Sequence, residues 1–138
     1  MTMASGLAAF EAKHFARAAR LLSPLAEQGD VEAQYRMAIM MQNGLGMTAN
    51  PDQAYRYMRA AAEAGHGLAQ HGLGFMYLEG ECAGRDETVA ADWFRRAAEQ
   101  GLQGSMTTLG LLYEEGRGVP KDAEQAAYWY RMAGFETE

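Results

Sequence analysis

Six columns of residues recur in this chain at intervals of 36 with no insertion. Gly29, Gly65 and Gly101 form one; Ala38, Gly74 and Gly110 a second; Gly44, Gly80 and Gly116 a third. Ala54, Ala90 and Ala126, then Tyr57, Trp93 and Trp129, then Ala61, Ala97 and Ala133 complete the set. A period in the range of about 20–50 residues marks a stack of supersecondary units, each burying its apolar face against its neighbours. Between the glycines the apolar residues recur at helical spacing. The spacing therefore predicts an all-α fold, a right-handed α/α solenoid of about four helical hairpins and eight helices. We expect one domain over 1–138, with a hairpin at 3–29 and repeats at 30–65, 66–101 and 102–137.

Local signals set the expected boundaries. In the first hairpin a short helix over 6–12 precedes a Lys13-His14 turn and a second helix over 15–28, which Pro24 should bend or break in its last turn. In the full repeats, first helices are expected at 31–42, 67–78 and 105–115. Second helices should start after Asn50, Asp86 and Asp122, residues whose side chains cap helix N-termini. Pro51 suits the first helical position, and Gln125 three residues after Asp122 fits a capping box. Cys82 stands where the other repeats have Gly46 and Gly118, so a different turn is expected there.

Composition narrows the function. The net charge of −6 and pI of about 5.1 argue against nucleic acid or an anionic membrane as partner, since both require a basic footprint. A single cysteine, Cys82, cannot form an internal disulfide. No signal-peptide pattern opens the chain, and no apolar run is long enough to span a bilayer. The cytoplasm is the expected location, or the periplasm if a leader has been removed. His14, His66 and His71 lack partner histidines at helical spacing, so no metal site and no cofactor are expected. The glycine-containing turns punctuate the repeat and do not read as phosphate loops. The Met37, Met40 and Met41 cluster reads as adaptable core.

The residues Leu109-Gly110-Leu111-Leu112-Tyr113, Gly116-Arg117-Gly118-Val119, Asp122, Ala126 and Tyr128-Trp129-Tyr130-Arg131-Met132-Ala133 closely resemble the Sel1-like repeat, a relative of the tetratricopeptide repeat. The second unit carries the pattern as Leu73-Gly74-Phe75-Met76-Tyr77, Gly80, Asp86, Ala90, Trp93-Phe94 and Ala97-Ala98; the first departs at Ala38, Met41 and Tyr57. The opening hairpin looks more like a tetratricopeptide unit, with Leu7 where that motif usually has glycine. The resemblance implies an adaptor or scaffold, often bacterial, that acts through protein–protein interaction. It does not support secretion, because the cysteine pairs of the disulfide-rich branch are missing.

Helical spacing places a candidate partner-binding strip on the side of each first helix that faces away from its hairpin mate, expected to be the concave face. It holds Glu32, Tyr35, Ile39 and Asn43, then Leu68, His71, Phe75 and Glu79, then Gly104, Thr107, Leu111 and Glu115. An apolar and aromatic strip rimmed by Glu79, Glu114 and Glu115 suits a basic or amphipathic peptide. The same side chains also fit the filling of a tightly curved inner face. Tyr35, Ile39, His71 and Phe75 would form the centre of any contact. Two other readings stand beside this one: a self-associating scaffold that dimerises through Tyr128, Tyr130 and Phe135 on the last helix, and a hydrolase, for which no catalytic constellation is visible.

Overall fold

The computed structural model describes residues 2–135, which hold eight helices and no strand. They are α1 Met3–Glu11, α2 Phe15–Glu27, α3 Val31–Asn43, α4 Pro51–Glu63, α5 Gly67–Glu79, α6 Glu87–Glu99, α7 Gln103–Glu115 and α8 Ala123–Met132. The chain divides into two compact units, Met1–Ala69 and Gln70–Glu138. No described helix is long and apolar enough to cross a membrane. Thr137 and its neighbours at 136–138, expected within the last repeat, lie outside the described residues.

The caps form where the sequence placed them. Asp30, Asn50, Asp86 and Asp122 accept from the backbone N–H three residues on. The capping box at Asp122 is only half made, because the Asp122 N–H already donates to Tyr113 O at 3.0 Å. Pro24 does not break α2, which continues to Glu27. It removes one donor near the end of the helix, and its own carbonyl still accepts from the Gln28 N–H at 3.1 Å. Helix ends recur as faithfully as the starts: Asp30, His66 and Leu102 each donate five residues back, to Leu25, Ala61 and Ala97, beside glycines with φ near +95°.

The turn around Cys82 is not different. Cys82 has φ +68°, against +70° at Gly46 and +71° at Gly118. The flanking hydrogen bonds also match, Glu81 to Met76 and Asp86 to Tyr77 repeating Arg117 to Leu112 and Asp122 to Tyr113. The repeat's hydrogen-bond pattern holds the backbone left-handed although the side chain disfavours it.

Within each hairpin the helices cross at a small residue. A Cβ on Gly74 would lie 2.9 Å from the Phe94 ring, and one on Gly110 would lie 2.7 Å from the Tyr130 ring. The aromatic residue at the crossing is thus the one after the Trp93 and Trp129 column. In the first hairpin Gly6, not Leu7, occupies this place: a Cβ there would sit 2.4 Å from Leu22 Cδ2. Leu22 stands one repeat before Met58 and two before Phe94. The opening hairpin keeps the same crossing on a turn four residues shorter, with Lys13 at φ +62°.

Each unit has its own core. In the first, Leu21, Leu22, Ala26, Ala33, Met37 and Met40 are buried together. In the second, Phe94 joins Leu78, Ala90, Ala91 and Leu112, while Trp129 joins Ala98, Met106, Leu109 and Tyr113.

Candidate functional site

The strip residues fall on α3, α5 and α7, the first helices of their hairpins, and the two units use them differently from a bare groove. In the first unit Glu32 accepts from Arg36 Nε at 2.8 Å and pairs with His66 Nε2 at 3.1 Å. Tyr35 stacks on the same His66 ring, 4.6 Å between centroids. Arg36 reaches back to Glu11 at 3.2 Å and lies 4.8 Å from the Phe10 ring centre. These contacts tie α3 to α1 on one side and to the residue before α5 on the other. Partial burial pushes the Glu32 carboxyl up, but hydrogen bonds from His66 and Arg36 outweigh it and hold the group below its ordinary value of 4.5. Burial raises the Tyr35 phenol. Ile39 is half-buried; the exposed Asn43 turns its amide onto the Ile39 carbonyl at 2.9 Å; Leu68 stands 48 % exposed.

In the second unit three rings meet edge to face: His71 lies 5.0 Å from Phe75 and 5.5 Å from Phe94, and Phe75 lies 4.9 Å from Phe94. His71 Nδ1 shares a 2.7 Å hydrogen bond with Ser105 Oγ. Gly104 sits against the same imidazole, where a Cβ would be 3.5 Å from His71 Cε1. Burial lowers the His71 pKa from its ordinary 6.5, so the ring is neutral at neutral pH. Ser105 is fully buried, so the pair clasps α5 to α7 and leaves no exposed hydroxyl to attack a substrate. Thr107 bonds the Gln103 carbonyl within its own helix at 3.1 Å. Leu111 is 45 % exposed, and Glu79 and Glu115 are exposed, Glu115 lying 3.7 Å from Arg117.

Tyr35 and His71 are therefore half-buried links between neighbouring hairpins and Phe75 packs within its own, whereas Leu68 and Leu111 are the apolar strip residues left in water. Sequence reasoning missed Ser105 and Phe94, the partners that hold His71 and Phe75. Ser105 lies one residue beyond the strip position Gly104, and Phe94 beside the Trp93 column. Among the described residues, no group of three or more His, Cys, Asp and Glu could hold a metal ion.

The crossings, turns and caps all repeat with one period, and the Sel1 repeat family matches residues 31–66, 67–102 and 105–134. The chain belongs to the Sel1 repeat family. A Sel1 repeat protein from Oxalobacter formigenes is 31% identical over 96% of this chain and 54% of its own, with a TM-score of 0.90. A protective antigen of uropathogenic Escherichia coli with an SLR fold is 34% identical over 83% of this chain and 24% of its own, with a TM-score of 0.80. Cysteine-rich protein B of Helicobacter pylori shares the fold, at 22% identity over 90% of this chain and 92% of its own, with a TM-score of 0.68. The chain thus spans about half the length of the Oxalobacter protein and a quarter of the Escherichia protein. A search of the curated proteins finds no match. Sel1 repeat proteins generally mediate protein–protein interaction and are generally non-enzymatic.

Proposed function

We propose that this chain is a non-enzymatic adaptor that holds a protein or peptide partner on the strip residues of its first helices, with Leu68 the apolar anchor in the first unit and Leu111 in the second. One observation carries the reading. Leu68 and Leu111 are both strip residues on first helices of their hairpins, and both remain about half exposed. Scattered exposed leucines are ordinary, but these two lie on the strip that helical spacing selects. Leu111 also neighbours an acceptor suited to a basic or amphipathic segment: it lies one turn from Glu115, with Thr107 one turn before it. Apolar anchors beside acidic groups suit an amphipathic helix or an extended basic peptide. The burial of Ser105 beneath His71 weighs against hydrolysis at the histidine–serine pair on this face.

The test is co-purification with quantitative mass spectrometry, comparing the natural chain with Leu68→Glu and Leu111→Glu. Both sites are exposed, so each variant should fold with an unchanged circular dichroism spectrum. The partner should be recovered at least fivefold less with Leu111→Glu. Equal recovery with both folded variants would remove the strip as the binding surface.

A further inference from the structure

The outer ridge of the second helices breaks the repeat at one place. Positions 56 and 60, 92 and 96, and 128 and 132 correspond across the three repeats, and all six are exposed. In the first repeat they are Arg56 and Ala60. In the second they are Asp92 and Arg96, joined by a 2.9 Å ion pair. In the third they are Tyr128 and Met132, which are 44 % and 53 % exposed, and Phe135 just past the helix is 53 % exposed. This part of the ridge, free of large apolar side chains in two repeats, is apolar in the third.

Beside this ridge lies a cleft of about 350 Å³, walled by Ala98, Met106, Tyr128, Trp129 and Met132. Glu99 is the charged residue lining it. Trp129 is 7 % exposed, and among the described residues its buried indole N–H has no acceptor. The cleft thus combines apolar walls and one acidic group.

We infer that this cleft and ridge form a second docking site, separate from the strip on the first helices, for a basic amphipathic segment of another protein. Its apolar side chain enters between Met106 and Met132 and covers Tyr128. A lysine or arginine beside the anchor pairs with Glu99. A second copy of the chain is the poorer occupant. Each copy carries a net charge of −6, and two copies meeting here would bring like-charged surfaces together.

The test is titration calorimetry on the whole chain with two synthetic probes of about 18 residues, a Leu/Lys amphipathic peptide and a Leu/Glu peptide of the same pattern. The Tyr128→Asp/Met132→Arg variant transplants the polar pair that the second repeat already carries, so it should keep the fold; Glu99→Lys changes an exposed charge. The Leu/Lys peptide should bind the natural chain, at least tenfold more weakly to the folded double variant and at least threefold more weakly to Glu99→Lys. The same losses should appear when the ridge variants are made in a Leu111→Glu background, which removes the strip as a competing site. Several results would overturn the proposal: no binding of the Leu/Lys peptide, equal binding of the Leu/Glu peptide, or full affinity in both ridge variants in that background. So would a dimer in light scattering that the double variant dissolves, since the ridge would then be a self-interface. If the double variant fails to fold, Glu99→Lys alone decides.

Discussion

Gly118 lies far closer to a neighbouring backbone than Gly116 does, and that difference can be measured. Both residues are left-handed, at φ +71° and +69°. An alanine at either place meets the conformational penalty of about 1–2 kcal/mol for an L-residue in this region. Part of it is offset, by about 0.4–1 kcal/mol, because alanine has less freedom to lose from the unfolded chain. At Gly116 the new Cβ would lie 3.1 Å from Lys121 Cβ and 3.4 Å from Lys121 N, a tight contact that a shift of a few tenths of an ångström relieves. At Gly118 it would lie 2.0 Å from the Glu87 carbonyl oxygen and 2.5 Å from the Glu87 carbon, at the first residue of α6. Backbone cannot rotate aside, so the turn must lift and the 2.8 Å Arg117–Glu87 pair must break with it. Overpacking of this kind costs about 1–3 kcal/mol. Gly118→Ala should therefore destabilise the chain by about 2–4 kcal/mol, and Gly116→Ala by about 1 kcal/mol. Urea unfolding followed by far-ultraviolet circular dichroism would show the difference as separated midpoints, since the slope is about 1–3 kcal/mol/M. If the two variants unfold within about 0.5 kcal/mol of each other, the close approach of the turn to α6 carries no energy and the reasoning fails.

Other measurements follow from the same structure. Cys82→Gly relieves a side chain at φ +68° and should raise stability by about 0.5–1 kcal/mol in the same assay, after allowance for the flexibility of glycine in the unfolded chain. The Glu32 carboxyl sits below its ordinary 4.5 in the folded chain, so its contribution is present above that value and is lost as pH falls through the lower folded pKa. Glu32→Gln should flatten the decline in melting temperature on the acid side of about 4.5, and an unchanged slope would show that the His66 and Arg36 contacts are inconsequential. His71 is also depressed, so the folded chain loses stability as pH falls from 6.5 through the lower folded pKa. Its ring protons in NMR should titrate below 6.5, and a midpoint above that value would contradict the burial beside Ser105 and Phe94.

Much of the fold was legible because each repeat writes the same instructions. Asp30, Asn50, Asp86 and Asp122 announce helix starts through short-range capping chemistry, and Gly29, Gly65 and Gly101 announce the ends. Cys82 misled because a residue type was read as dictating its turn. Hydrogen bonds from Glu81 and Asp86 fix that backbone instead, and the side chain follows. Gly6 was passed over because a 36-residue register does not reach it across the shorter first turn. The candidate strip was legible only as a periodicity. Helical spacing put Tyr35, His71 and Phe75 on one side of their helices, but not the contacts that half-bury them. Those contacts, with His66, Ser105 and Phe94, come from the next hairpin or from the opposing helix, which spacing within one helix cannot see.

The pairing of Gly6 with Leu22 separates two things that a fixed period joins. Gly6 and Leu22 reproduce the contact of Gly74 with Phe94 on a connection four residues shorter. The crossing point of a hairpin is therefore set by one small residue and the side chain opposite it, and the linker is a replaceable part. Linkers of different length can be exchanged between hairpins without resetting how the helices meet, so an array of this kind can gain or lose connector residues over evolutionary time while its helices stay in phase.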